Sequence, residues 1–446
     1  MCTSDSFPLT PEQLINLSSH FAGEEGTALL FSGGDYFGSK SSFLCLFPYE
    51  WIQVKGTEVT LSTMQEEMKS FHSDNPWDVL KELVQPNETH DFPEWIGYFG
   101  YELGAFADHE KRIPFSRANT PDAYLQRCAV VLRLDHASQI ATVRTQERFL
   151  TDKQKRWRDF LTHPPQPLSS ASYKIISTET EKSYCEKITK AKELILDGEI
   201  YQVNLSQKFT FKGKSNPFDI FTKLSGLNPA PFSAFLQLKE FAVVSSSPER
   251  FLKLADQNLE TRPIKGTAPR GKTPDEDQEN RKALLSSEKE KAELLMITDL
   301  MRNDLGKVSL PGTVKTEKIW FCEAYQNVYH LCSSIKSKVK QNQHPIDLIR
   351  ACFPGGSITG CPKLRSMEII HELEQRPRGL YTGSIGYISG NGNFDLNIAI
   401  RTLVITPNEI DVQLGGAITA DSNPKNEFEE TLHKGASIFQ SLMLLK

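Results

Sequence analysis

The chain has 446 residues, of which 39% are hydrophobic and 24% charged, and its formal net charge is −5. That length suffices for one large domain or two ordinary ones with substantial cores, in the composition range of soluble globular proteins. The acidic balance and the lack of a Lys/Arg block disfavour nucleic acid or an anionic membrane as the main partner.

The opening "MCTSDSFPLTPEQL" has neither a charged leader nor an apolar stretch behind it, so no signal peptide is expected. No apolar run reaches about 18 residues, so no membrane span is expected either. The eight cysteines, at 2, 45, 128, 185, 322, 332, 352 and 361, form no C-x-x-C pair or Cys/His cluster. This spacing argues against structural zinc and a disulfide framework, and the cytoplasm is the expected compartment.

Residues 1–150 mix strand-like runs ("TALLFSGG", "SSFLCLF", "CAVVLRL", "QIATVRT") with polar turns and read as an amino-terminal subdomain. Prolines and serines in "LTHPPQPLSSAS", 161–172, suit a linker, placed at 151–175. From 176 to 446 long helical segments alternate with strands. "FAVVSSS" leads to "PERF" with Glu249, and "FLKLADQNLETRPI" reads as a short hairpin returning the chain to Lys265. Residues 279–303 read as one helix with Leu294, Ile297 and Met301 at helical spacing. "FPGGSITGCPKLRSMEII", 353–370, is a glycine-rich turn running into a helix that opens at Pro362. Residues 381–405 read as a hairpin turning at "GNGN", with Asp395, Asn397, Ala399 and Arg401 on one face of its second strand. A terminal helix follows over 424–445, capped by Asn423 with Pro424 at its first position.

Several of these features carry chemistry, and each has an ordinary structural explanation beside it. Glu290 and Glu293 on one helix, with Glu427 and Glu430 on another, make two E-x-x-E pairs that could converge on a hard divalent cation. Glutamate is also simply a good helix former. Lys434 continues the second stripe. Free N–H groups where "SITGCPK" enters its helix suit an anion, but the pattern also fits a plain turn, and no Walker A sequence is present. "LGGAITADS", 414–422, could bring backbone close to a ligand through its glycines, or be a strand end with a bulge. A buried Arg401 needs either a protein carboxylate or a substrate carboxylate. His330 alternates with apolar neighbours, as a satisfied core histidine does. Glu249 in a pocket is a candidate general acid. Lys265 attacks as an amine only if burial or a cationic neighbour lowers its pKa; otherwise it is a solvated loop cation.

Together the segments resemble the chorismate-utilising family that includes anthranilate synthase component I and aminodeoxychorismate synthase component I. The resemblance spans nearly the whole chain. It is carried by "LLFSGG", "GYFGYELG", "YQVNLSQ", "NPAPFSAF", "SSSPERF", "RPIKGTAPRG", "AELLMITDLMRNDLGKV", "YHLCSSI", "FPGGSITGCPK", "YTGSIGYIS", "NIAIRT", "GGAITADS" and "EFEETLHKG". It implies an α/β (α+β) protein with a large two-sheet chorismate-binding fold, helices packed outside, and the amino-terminal subdomain integrated with it. Two positions sort the chemistry. Isochorismate-type members use a lysine to activate water where this chain has Gln202, which cannot act as that base. Anthranilate synthases have alanine in the "PI-x-GT" motif, whereas the aminodeoxychorismate enzymes have lysine, here Lys265.

The resemblance implies that Mg²⁺, held by Glu293 and Glu430 with Glu290 and Glu427 in support, fixes the ring carboxylate of chorismate. Arg401, Tyr381, Lys434 and the backbone at Gly266, Thr267, Gly415, Gly416 and Ala417 would hold the rest of the dianion, beside Gln202 and His330. Lys265 would attack ring C2 while Glu249 protonates the C4 hydroxyl, and ammonia would then displace the lysine to give 4-amino-4-deoxychorismate for p-aminobenzoate and folate synthesis. A separate glutamine amidotransferase subunit is the implied ammonia source, since this chain has no glutaminase segment. Ala417 stands where many relatives have glycine and Cys361 where alanine is common; both are small. His330 matches a position associated with pyruvate elimination in anthranilate formation. Ser32, Pro231, Phe232 and Ser233 match places where relatives bind tryptophan, with packing as the alternative. The competing assignments are anthranilate synthase component I and a non-catalytic chorismate- or tryptophan-binding subunit.

Overall fold

The apolar runs pair as strands, and each pairing among the described residues is antiparallel. The computed structural model describes all residues except 1, 34–35, 37–39, 65–67, 87, 109–111, 169–172, 215 and 444–446. The expected mixture of helices and strands is present, and the strands are hydrogen-bonded into one large curled sheet system. Long members such as Ser41–Lys55, Ala123–Asp135 and Gln202–Lys212 serve two or more partners each, which lets the sheet fold back on itself.

Early and late parts of the chain interleave. Strand Ala28–Phe31 pairs with Phe232–Gln237, opposing Phe31 to Ser233, and Pro93–Phe99 pairs with Ser384–Ser389, opposing Phe99 to Ser384. In the stretch expected as a linker, a 3-10 helix at Gln154–Thr162 buries Trp157; residues 169–172 lie outside the described set. The seven cysteines with described side chains are free thiols. No helix among the described residues is long and apolar enough to cross a membrane.

Two expected elements are divided. The helix expected over 279–303 is two helices, Pro274–Ser286 and Glu288–Gly306, separated at Ser287. Ser287 leaves the helical region (φ −68°, ψ 108°) and its Oγ accepts from the Glu290 backbone N–H at 3.3 Å. A serine hydroxyl that competes for backbone in this way starts a new helix rather than continuing an old one. The second helix can therefore take its own direction, and it carries Glu290 and Glu293.

The second strand of the expected 381–405 hairpin also breaks. Ser384–Ser389 and Phe394–Asn397 pair as anticipated, but the ladder stops at Asn397 and resumes only at Thr402–Ile405. The Asn397 side chain takes over two backbone positions, accepting from Ile385 N–H at 2.8 Å and donating to the Phe232 carbonyl at 3.2 Å. Ile398 N–H turns instead to the Glu249 carbonyl at 2.9 Å. Arg401 sits at φ +51°, so it does not share one continuous strand face with Asp395 as the alternation suggested.

Helix Pro424–Met443 closes the chain as expected, with Asn423 Oδ1 accepting from Lys425 and Asn426 N–H at 3.1 and 3.2 Å. The hairpin Arg250–Ala255 and Asn258–Arg262 forms where the sequence places it.

Candidate active site

Lys265 lies on strand Ile264–Pro269, opposite Leu331 of strand Val328–Lys338, and Thr267 lies opposite His330. The register slips between them at Gly266, a bulge with φ +69° that favours glycine. A Cβ placed there would stand 2.9 Å from Glu290 Oε2, so the absent side chain lets the second helix bring its carboxylates against this strand. Thr267 Oγ1 and His330 Nδ1 are 3.0 Å apart. The Nε2 of this buried histidine has no hydrogen-bond partner among the described residues. Burial, aided by Arg401, pushes His330 down to about 3, so the ring is neutral at physiological pH.

On the facing side, strand Glu409–Ile418 lays Gly415, Gly416 and Ala417 opposite Ser206, Leu205 and Asn204. A Cβ on Gly416 would meet Glu427 Oε2, Lys434 Nζ and Glu430 Oε1 at 3.3, 3.6 and 3.8 Å; one on Gly415 would meet the Tyr381 hydroxyl at 2.8 Å. Lys434 Nζ donates to the Gly415 carbonyl at 3.0 Å and pairs with Glu430 at 2.6 Å. Ser422 Oγ donates to Glu427 Oε1 at 2.7 Å. Gln202 is fully buried opposite Cys361, and neither polar atom of its amide has a partner among the described residues.

Glu249 stands at the turn between strands Ala242–Ser247 and Arg250–Ala255, buried, with Oε1 accepting from Ser357 Oγ at 2.6 Å. Burial raises its pKa to about 7 against the opposing pull of Ser357 and Lys265. Lys265 moves the other way: burial lowers its pKa and Lys434 adds to this, while Glu293, Glu249 and Glu430 oppose. Acid and amine thus approach each other in proton affinity.

The carboxylates of the two helices share one field. Glu290 is raised by burial and then by Glu293 and Glu430; Glu427 is raised by burial and by Glu430. Glu430 falls below its usual range because Lys434 outweighs its burial. Among the described residues no three acidic, histidine or cysteine groups stand close enough to hold a metal by themselves. The acidic groups that sense one another here offer carboxylate oxygens only, a donor type suited to a hard divalent cation rather than zinc.

Arg401 is partly buried and, among the described residues, makes no ion pair with a carboxylate; burial lowers its pKa, opposed by Tyr325 and Glu249. Of the two partners its position allowed, a protein carboxylate is not the one present. Ser32, Pro231, Phe232 and Ser233 are not part of this site. They line a separate cavity of about 490 Å³ with Phe31, Tyr387, Asp395 and Asn397. Pro231 and Phe232 also border a narrow gap that reaches Ile264 and Tyr325 beside the first site.

Sequence reasoning missed three participants. Ser357 lies inside a quoted motif, but spacing does not tell which of its side chains faces Glu249. Tyr325 packs edge-on against His330 at 4.9 Å and donates to the Pro248 carbonyl at 3.3 Å. Arg378, in "QRPRGLY", is one of two neighbouring arginines and gives no sign that it is the buried one. It donates to both carboxylate oxygens of Glu374 (2.8 and 3.1 Å) and to the carbonyls of Ile358 (3.1 Å) and Asn204 (2.7 Å).

The comparisons fit this architecture. Residues 40–440 match the chorismate binding enzyme family, and the chain belongs to that family. Aminodeoxychorismate synthase component 1 of Escherichia coli is 37% identical over 93% of this chain and 92% of its own length. Anthranilate synthase component 1 of Aquifex aeolicus is 34% identical over 83% and 80%. Among solved structures, anthranilate synthase component I from Streptococcus pneumoniae superposes with a TM-score of 0.77 at 28% identity, covering 91% of this chain and 93% of that one. The menaquinone-specific isochorismate synthase of Escherichia coli shares the fold with a TM-score of 0.74 at 16% identity, covering 99% of this chain and 95% of that one.

Replacing Glu374 with glutamine leaves the Arg378 guanidinium buried without its counter-charge. Glu374→Gln is expected to lose about 3–5 kcal/mol of stability, read as a lower denaturant midpoint; an unchanged midpoint would show the pair to be dispensable.

Proposed function

We propose that this chain is an aminodeoxychorismate synthase component 1, converting chorismate and ammonia to 4-amino-4-deoxychorismate in the cytoplasm, for p-aminobenzoate and folate synthesis. One arrangement carries the reading: half-buried Lys265 on strand Ile264–Pro269 stands within electrostatic reach of buried Glu249, and burial lowers the pKa of the amine while raising that of the acid to about 7. In the first step the Lys265 Nζ lone pair forms a bond to ring C2. Both conjugated ring double bonds shift by one position, the C4–O bond breaks, and the Glu249 proton leaves with the hydroxyl as water. In the second step ammonia bonds to C4, both double bonds shift back, the C2–N bond breaks with its electrons returning to the lysine amine, and the proton shed by the new ammonium goes back to Glu249. Two displacements replace one difficult substitution, the usual gain of covalent catalysis.

Glu293 and Glu430, with Glu290 and Glu427, would hold Mg²⁺, which when bound supplies positive charge to fix and neutralise the ring carboxylate. Arg401, lacking a protein carboxylate, would take the other carboxylate of the dianion. Tyr381, Gly266, Thr267, Gly415, Gly416 and Ala417 would shape the rest of the pocket, with Lys434 beside the acidic pairs. The "component 1" in the relatives' names supports a second component, which we assign as a glutamine amidotransferase delivering ammonia.

Purified chain with chorismate, Mg²⁺ and ammonium is expected to yield aminodeoxychorismate by product mass. Anthranilate instead would assign the chain to the tryptophan branch, and unchanged chorismate would mark a binding subunit. Lys265→Ala is expected to lose amination by at least about a hundredfold and with it the substrate adduct seen by intact mass. Because the acid must be protonated, adduct formation is expected to fall as pH rises through about 7, the raised value of Glu249; a rate still climbing above that pH would remove Glu249 from the step.

The second cavity offers aromatic walls (Phe31, Phe232, Tyr387) and polar groups (Ser32, Ser233, Asp395, Asn397), a fit for tryptophan. Calorimetric titration is expected to show one site per chain, abolished by Ser32→Trp; no heat at millimolar tryptophan would leave packing as the role of these residues.

A further inference from the structure

The acid of the proposed reaction has two oxygens, and only one can carry the proton to the leaving group. Glu249 is enclosed by its own strand turn. Its N–H donates to Ser247 Oγ at 3.3 Å, its carbonyl accepts from Ile398 N–H at 2.9 Å, and Ser247 Oγ in turn donates to the Ile398 carbonyl at 2.6 Å. Backbone and side-chain base are therefore fixed before the carboxyl is considered. Among the described residues the carboxyl then meets one side-chain hydroxyl, that of Ser357, 2.6 Å from Oε1, with the backbone N–H of Ile264 as a further donor.

The direction of that bond follows from the surroundings. Ser357 is buried, and among the described residues its hydroxyl has no other acceptor. If it accepted a proton from Glu249, its own hydrogen would be left unsatisfied in the interior, at a cost comparable to a lost hydrogen bond. Donating to Oε1 satisfies it. An oxygen that already accepts a hydrogen bond is the poorer place for the proton, which moves to Oε2.

Ser357 is itself held from behind. It sits in the one-turn 3-10 helix Gly356–Ile358, whose Ile358 carbonyl accepts from Arg378 Nη1 at 3.1 Å; the Gly355 carbonyl before the turn accepts from Thr359 Oγ1 at 2.9 Å. Arg378 is anchored by Glu374. A rigid path thus runs from a buried ion pair, through one loop carbonyl, to the hydroxyl that touches the acid.

We propose that Ser357 is a positioning residue for the amination step: by donating to Oε1 of Glu249 it confines the acid proton to Oε2, the oxygen that delivers it to the departing hydroxyl. This rests on Glu249 being the acid of the proposed function. The charged and titratable groups facing Glu249 are Lys265 on its strand, Lys434 on the terminal helix, Arg401 after the broken hairpin strand, and Cys332 on strand Val328–Lys338. None of them replaces the Ser357 donor, since the lysines and Arg401 act through charge and Cys332 is a weak donor.

The test uses the full chain with chorismate, Mg²⁺ and ammonium. Ser357→Ala is expected to lower kcat about ten- to a hundredfold, with KM for chorismate within about threefold. Losing a donor that holds the Glu249 pKa down lets the acid stay protonated to higher pH, so the alkaline limb of kcat should move upward by about half a unit or more. Ser357→Thr keeps the hydroxyl and should restore both rate and limb. If the alanine chain does not fold, Ser357→Cys, similar in size but a weak donor, should show the same loss. An alanine variant with unchanged kcat and unchanged limb overturns the inference, as does a threonine variant as impaired as the alanine one. Glu249→Gln separates the two levels. If it is as fast as the parent, the acid assignment fails. If it is slow while Ser357→Ala is indifferent, only the inference fails.

Discussion

A single buried guanidinium organises this site. Arg378 is enclosed between the rings of Tyr101 and Tyr381, 4.8 and 5.5 Å from their centres, and is forked onto Glu374. Its remaining donors reach the glycine-rich turn at Ile358 and strand Gln202–Lys212 at Asn204. Its own backbone N–H and that of Gly379 are taken by Glu102, from the amino-terminal part of the chain. Five separate segments thus meet at one charge. In a low-dielectric interior such a pair is worth little as net stability, yet the geometry of each attached segment depends on it. Glu374 stays ionised because Arg378, with Arg376, outweighs the effect of burial. Glu102, with no comparable counter-charge, is pushed by burial up to about 8.

Around that fixed point two titratable groups are tuned in opposite directions. Glu249 is raised and Lys265 lowered by the same cause, burial, acting on opposite charge types. The carboxylates of the two helices oppose this for the amine, Glu293 and Glu430 raising the Lys265 pKa, and they supply negative potential that a cation relieves. Lys434 does so for Glu430, while Lys289, 3.9 Å from Glu293, stands at the solvent side of the pair. Neutral His330 beside Thr267 adds a polar wall without adding charge.

Much of this was legible in the sequence, and the remainder failed for identifiable reasons. The hairpin from Arg250 to Arg262 and the terminal helix followed from alternation, turn residues and an Asn-Pro start. The single helix over 279–303 did not survive, although "SEKE" at 287–290 carries the serine-to-glutamate spacing of a helix start. The period of apolar residues continues across the break and hides it. Arg401 was assigned to a regular strand because alternation cannot reveal a positive φ. Asn397 causes that departure through side-chain bonds that imitate backbone, and nothing in its neighbours announces them. Ser357 was missed because its partner Glu249 lies 108 residues away; Arg378 has Glu374 four residues off, but the contacts that bury it, to Asn204 and Glu102, are 174 and 276 residues away.

The interleaved strands also bear on how the polypeptide is made. Strand Pro93–Phe99 pairs early with Ala123–Asp135, but its other edge finds a partner only when Ser384–Ser389 has been synthesised. At about 5–20 residues per second, that delay is roughly 15–60 s on the ribosome. During it, one edge of an apolar strand, buried at every position in the finished molecule, has no native neighbour. Long-range antiparallel pairing of this kind slows folding and exposes sticky edges. The topology that brings distant side chains to one charge therefore leaves this edge unpaired for longer during synthesis than in a chain built of local repeats.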